Sequence, residues 1–332
     1  MALRFSLQLL CAAFAVWFLL LTFWSPVVSL PGIRYRTGNG ESVPATNSTL
    51  GFQKIYAISL PQRTDRQDAM TLMSVLSGLE IDIAPGVRGE DVLEKTVPKV
   101  DDLVLIVDEK IATALILEDD VDWDVRVRQQ MARIVQQFQQ DQSSLTRDWD
   151  VLWLGNVGER GADRFPKDDE RKIVFQDPTV PSRQNLSPGF NSVKAFPDQS
   201  RVIHPSDFPL CTYAYAVSYA GAQKVLYHGG VDRVVSNFDT DLANNCWLYM
   251  NCISITPPIF HFDRNKGMER DSDTDQAFVK HNQEPGSYKN IETSVRLLMK
   301  EKFGKQPRED RIWRDVSEFG HYFIEAMDLP GQ

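Results

Sequence analysis

What the chain lacks narrows what it can be. Histidine occurs five times and cysteine four times in 332 residues, and no CxxC pair or Cys/His spacing suits zinc. Bases are outnumbered, 36 Lys and Arg against 45 Asp and Glu, for a formal charge of -9. Such a surface repels a phosphate backbone, so nucleic acid is not an expected partner. A small anionic ligand would need a metal ion or a local arginine cluster to offset that field. No internal repeat is evident. Of the cysteines, Cys11 lies in an apolar run, which leaves Cys211, Cys246 and Cys252 for the folded part. One disulfide with one free thiol fits, as do buried free cysteines, and spacing selects no pair.

Charge is missing altogether from one long stretch. Phe5 to Trp24 is 20 residues without a charged side chain, long enough to cross a bilayer as a helix. Arg4 precedes it and Ser25-Pro26 closes it. Val27-Val28-Ser29 would pass as a cleavage site, but the apolar core exceeds that of most signal peptides and favours an uncleaved anchor. Arg34 and Arg36 come just after the span and weaken the positive-inside signal. The sequon Asn47-Ser48-Thr49 makes Asn47 a glycosylation acceptor and places the chain beyond the anchor in the lumen. The expectation is a single-pass type II membrane protein of the Golgi or endoplasmic reticulum. Residues 1–29 form the tail and anchor, 30–51 a Gly/Pro/Ser/Thr-rich stem, 52–262 the folded domain and 263–332 a charged, peripheral extension.

What remains is ordinary for a globular core, 42% hydrophobic and 24% charged. KIYAISL (54–60) reads as a buried strand, and the next segment has helical spacing through Met70, Met73, Leu76 and Leu79. EIDIAPG reads as a strand, and VDDLVLIVDEKIA as a short helix or strand. Ala114–Leu117 is a buried strand, succeeded by a helix with Val127, Met131, Ile134, Val135 and Phe138 on one face. Residues 150–155 form another strand. Residues 158–207 are polar and Pro-rich, an excursion with RKIVFQD as its one ordered candidate. CTYAYAVS, a helix to Gly229-Gly230, a helix over 237–248 and the strand CISITPPI complete the core. Strands alternating with helices predict an α/β fold built on a mostly parallel open sheet with flanking helices.

The feature that carries chemistry is Glu118, Asp119, Asp120, Asp122 and Asp124. Five carboxylates in seven residues repel one another unless something positive sits among them, and a hard divalent cation with oxygen ligands is the natural compensation. In open α/β sheets ligands bind beyond the carboxyl ends of the strands, where this run falls. Alternation along an extended chain would send Glu118 and Asp120 to one side and Asp119 to the other. The plainer reading, helix capping by Asp120, Asp122 and Asp124, leaves Glu118 and Asp119 unexplained. Arg63-Thr64-Asp65-Arg66 comes directly after the first strand, where a strand-to-helix turn and two arginines suit a phosphate or a base edge; a helix cap with two solvated arginines is the alternative. Asp239-Thr240-Asp241 offers a general base or, equally, a helix cap. His261 stands near a strand end as a possible metal ligand or a structural histidine. Tyr213 and Tyr215 alternate along one strand, for core packing or for sugar stacking.

Together these segments resemble glycosyltransferase family 25, the lipooligosaccharide and collagen-type galactosyltransferases, and its fungal members in particular. The matching stretches are IYAISLPQRTDRQDAM, ALILEDDVDWD, WDVLWLG, CTYAYAVSYAGAQKVL and NCISITPPIF, in family order over residues 54–262. The resemblance implies a GT-A-like fold, a UDP-sugar donor carrying galactose or glucose, Mn²⁺ or Mg²⁺, and inverting transfer to a glycan or glycoprotein hydroxyl. It assigns Glu118, Asp119 and Asp120 to the metal and diphosphate motif, with Asp120 on the metal, and places Arg63, Asp65 and Arg66 at the nucleotide end; Asp122 and His261 are metal candidates from the residue pattern alone. Asp239 and Asp241 fall where the family has an acidic stretch facing the acceptor. One departure stands out: the family's glycine-led segment with a cysteine or serine and a histidine, shortly before the acidic strand, has no counterpart between Gly86 and Asp119. A relative that binds nucleotide-sugar or glycan without transfer is therefore the main alternative. A metal-dependent phosphoesterase is a second, disfavoured by the scarcity of histidine.

Overall fold

Six buried, β-prone runs account for most of the sheet. A computed structural model of the chain describes residues 45–88, 101–141, 145–159, 171–232, 237–262 and 290–303. The run Phe5–Trp24 lies outside them, and among the described residues no helix is long and apolar enough to cross a membrane.

Along the chain the elements are β1 (Lys54–Ser59), α1 (Thr64–Ser77), β2 (Asp82–Pro85), α2 (Asp101–Asp108), β3 (Thr113–Glu118), β4 (Val121–Trp123), α3 (Val127–Gln140), β5 (Val151–Gly155) and β6 (Ile173–Gln176). They continue with β7 (Ser200–Pro205), β8 (Ala214–Ser218), α4 (Tyr219–Leu226), α5 (Phe238–Leu248), β9 (Cys252–Thr256), β10 (Phe260–Phe262) and α6 (Val295–Phe303). Eight strands form one sheet in the order β2-β1-β3-β8-β5-β9-β7-β6. Six of them run one way. Strands β7 and β8 run against their neighbours, so the α/β sheet is mixed and largely parallel.

Strand alternation sends side chains into two cores. Leu115 and Leu117 pack with Met70, Met73, Met131 and Ile134 on one face; Ala114 and Ile116 pack with Leu103, Ile106, Val225 and Leu242 on the other. Tyr213 and Tyr215 are both buried, against Phe262 at 4.8 Å and against Trp153 and Phe238 at 6.2 and 6.0 Å, which is the packing role rather than exposed sugar stacking. The register defines two edges. Lys54, Thr113, Ser218, Val151 and Cys252 line the amino edge of the parallel strands, and Ser59, Glu118, Ala214 and Gly155 line the carboxyl edge.

Three segments depart from the sequence reading. Strand β7 lies inside the Pro-rich excursion, its Arg201 fully buried against Asp177 (2.7 Å) and the carbonyl of Pro257. The folded domain takes in residues of the expected stem, because Leu50 is buried and Glu80 N–H donates to Ser48 O at 2.9 Å. Residues 290–303, drawn in sequence terms as periphery, reach the core: Val295 is fully buried beside the two-stranded sheet formed by β4 and β10. Cys246 and Cys252 form a disulfide at the end of α5, with Cys211 free.

Candidate functional site at the carboxyl edge

Strand β3 ends at Glu118, and the chain turns at once through Asp119 and Asp120. The turn cancels the alternation expected of an extended run, so one cation reaches both acids. Arg66, on the first turns of α1, places Nη1 2.5 Å from Asp119 and 3.5 Å from Asp120. Ser59 Oγ, from the carboxyl end of β1, donates to the other oxygen of Asp119 at 2.8 Å. Asp119 is thereby committed on both oxygens, while Asp120 keeps 32% of its side chain open to solvent.

Glu118 completes the group. Thr212 Oγ1 donates to it at 2.9 Å, and its N–H donates to Tyr213 O at the same distance. Burial, with the charges of Asp120, Asp119 and Asp239 added, pushes the Glu118 carboxyl up to about 7 against the Thr212 hydrogen bond. Asp239 therefore belongs to the same electrostatic group. Its oxygens accept Cys211 N–H at 3.2 Å and Thr240 N–H at 2.8 Å, which ties the start of α5 to the loop before β8. The helix cap itself falls to Asn237, two residues before Asp239, and Asn237 makes no side-chain cap bond. Asp241 sits in the same first turn and is buried. Arg63 is turned to Asp65, bonding both of its oxygens at 3.0 Å and holding that carboxyl below the ordinary range, with Asp65 itself largely exposed.

The acidic run divides here. Asp122 and His261 are register partners in β4 and β10, but each is spent on the fold. Asp122 accepts Ser294 Oγ–H, Arg296 N–H at 3.1 Å and Trp123 N–H at 2.8 Å. His261 is buried, with Nε2 3.1 Å from Pro258 O. Asp124 is bonded by Arg126 and by Thr293 N–H. The metal-ligand expectation for Asp122 and His261 thus meets side chains already used to hold residues 290–303 and the Pro257-Pro258 turn. Ser59 and Thr212 are the site residues that sequence reasoning passed over; a lone hydroxyl carries no pattern until the fold brings it to a carboxylate. Asn47, the glycosylation candidate, accepts Thr49 and Gly51 N–H at 3.2 and 2.7 Å and braces its own turn.

Among the described residues no group of three or more His, Cys, Asp or Glu side chains forms a ready-made metal cage. The donors nonetheless fit a hard cation in part. Arg66 faces Asp119 and Asp120, while the charges of Asp120, Asp119 and Asp239 help raise Glu118. Ions of the Mg²⁺ kind are held by one or two carboxylates, with substrate phosphates and water filling the remaining positions. Asp120 and Glu118 suit that incomplete role.

Fold and site define an α/β protein with an anionic centre at the carboxyl edge of its sheet. Compared with known protein families and with curated proteins, the chain matches none.

Proposed function

We propose that the chain is a metal-dependent glycosyltransferase of GT-A-like architecture, moving a hexose from a UDP-sugar to a glycan or glycoprotein hydroxyl with inversion. The observation that carries this reading is the Glu118-Asp119-Asp120 turn, anionic in excess of Arg66, at the edge where α/β sheets bind ligands. The resemblance to glycosyltransferase family 25 supplies the substrate class. The disulfide suits an oxidising compartment and supports a lumenal setting.

Each residue then has a task. Arg66 neutralises and orients Asp119, and Ser59 fixes its second oxygen, so the turn is rigid before any ligand arrives. Asp120 and Glu118 would hold the cation, which when bound would supply positive charge to a leaving diphosphate. Arg63 and Asp65 lie at the nucleotide end. Asp239, beside Glu118, takes the proton of the acceptor hydroxyl as its oxygen bonds to the anomeric carbon and the bond from that carbon to UDP breaks; Asp241, in the same helical turn, is the alternative base. The phosphoesterase reading has less support, since His204 and His261 are engaged with Pro205, Thr256 and Pro258.

The test is UDP release across a set of UDP-sugars in Mn²⁺, with Asp120→Ala beside the natural chain. Turnover falls by about 10²-fold or more in the variant, the scale of losing one transition-state electrostatic contact. Undiminished turnover by Asp120→Ala overturns the assignment. Binding heat for UDP-sugar with Mn²⁺, but no transfer to any acceptor, would favour the binding-only relative that the departure between Gly86 and Asp119 suggests.

A further inference from the structure

The amino edge of the sheet carries a feature that the proposed chemistry does not use. Tyr227, Trp247, Leu248 and Tyr249 are 56, 58, 59 and 55% exposed, and the last three are consecutive in the chain. Trp247, Leu248 and Tyr249 lie between the two cysteines of the Cys246–Cys252 disulfide, which braces the end of α5. Tyr249 stacks on His228 with ring centres 4.5 Å apart and planes 9° apart, and Tyr227 meets His228 edge-on at 5.1 Å. Single exposed apolar residues are ordinary; a braced cluster of large ones marks a contact surface.

Its position is set by the register. Cys252 begins β9 level with Val151, and Lys224, near the end of α4, bonds Asp150 at 2.6 Å. The cluster is therefore at the amino edge, away from Glu118. The chain enters the fold at that same edge. Gln53 N–H donates to Thr113 O at 3.1 Å and Gln53 Oε1 accepts Ala112 N–H at 2.7 Å, just before β1. Residues 25–44 alone separate Trp24, the last of the charge-free run, from the first described residue. Twenty residues reach at most about 70 Å, so an anchored run would tether this edge within that distance of its bilayer and raise the effective concentration of any contact.

We propose that the amino edge is a membrane-docking surface, with Tyr227, Trp247, Leu248 and Tyr249 entering the interfacial zone of the bilayer that holds the N-terminal run. Tyr227, Trp247 and Tyr249 are of the type found at membrane interfaces, amphipathic rings with an apolar body and a polar tip, and Leu248 adds an aliphatic side chain. Lys54 is paired with Asp82 and Lys224 with Asp150, so these two ammonium groups are already engaged within the fold. Docking is independent of the catalytic reading and depends on the anchor.

The experiment uses the full chain, one copy per phosphatidylcholine nanodisc, with and without brominated acyl chains. Subtracting the emission of Trp247→Phe from that of the natural chain isolates Trp247. Docking predicts a blue-shifted Trp247 emission quenched several-fold by brominated lipid, and Tyr227→Ser with Tyr249→Ser restoring access to aqueous acrylamide. Trp247 emission at the water-exposed wavelength, or indifferent to bromine, overturns the proposal. So does failure of the chain to enter the discs, or a blue shift that appears only in discs carrying two copies, which would assign the surface to a second copy. Turnover of a UDP-sugar on the same discs is a separate readout, and its absence leaves the docking result intact.

Discussion

At the scale of single residues, half-buried Glu118 and buried His261 give opposite pH signatures. Glu118 holds its proton to about pH 7 in the fold but releases it near 4.5 in the unfolded chain. The folded state binds more protons in that window, so stability falls as pH rises from 4.5 to 7 and stays low above it. The effect is on the order of 3 kcal/mol. Glu118→Gln is therefore expected to raise the thermal midpoint at pH 8 by several degrees, relative to the natural chain without metal, while removing Mn²⁺-dependent UDP-sugar binding. A lower midpoint would show that Glu118 serves the fold. His261 runs the other way. Burial keeps it neutral down to about pH 3, against 6.5 unfolded, so the unfolded state binds the extra proton between those values and stability falls as pH is lowered from 6.5. The slope is about 1.4 kcal/mol per pH unit. Because the two slopes oppose each other between pH 4.5 and 6.5, the measurement is a comparison: His261→Phe flattens acid destabilisation relative to the natural chain in denaturant titrations at pH 6.5 and 5. An unchanged pH dependence would mean that His261 takes its proton in the fold.

At the scale of elements, the acidic run shows how far local pattern reaches. The apolar strand and the acids after it were legible, because burial of Ala114–Leu117 and the breaking of the strand by charge are both local. So were α1 and α3, from spacing. The division of labour within the run was not. Asp122 is used by Ser294 and Arg296, more than 170 positions on, and no window of sequence contains that pairing. Strand β7 escaped notice for the same reason: Arg201 and His204 are buried only because Asp177 and Thr256 receive them. Reversal of β7 and β8 likewise depends on which strands they join rather than on their composition. The bonds from Asp122 to Ser294 and Arg296 make a prediction. Asp122→Ala leaves buried donors from residues 123, 294 and 296 unsatisfied and should cost about 2–3 kcal/mol, read as a lower denaturation midpoint and faster proteolysis near residue 290. Mn²⁺ and UDP affinity should remain within about twofold, the scale of a surface change; a large loss of Mn²⁺ affinity in the folded variant would return Asp122 to the metal.

At the scale of the whole molecule, the sheet has a direction. Its carboxyl edge collects Ser59, Glu118 and the acidic turn, and its amino edge carries Trp247, Leu248, Tyr249 and the entry of the chain. With the amino edge resting on lipid, the six residues of β3 become a ruler standing on the membrane, about 20 Å tall. The proposed chemistry would then take place at a set height. A hydroxyl lying in the headgroup layer would be out of reach, whereas one carried outward on a protein or a long glycan would come level with Asp120. Selection of acceptors by how far they stand from the membrane would then be a property of strand length alone, without any pocket that recognises them.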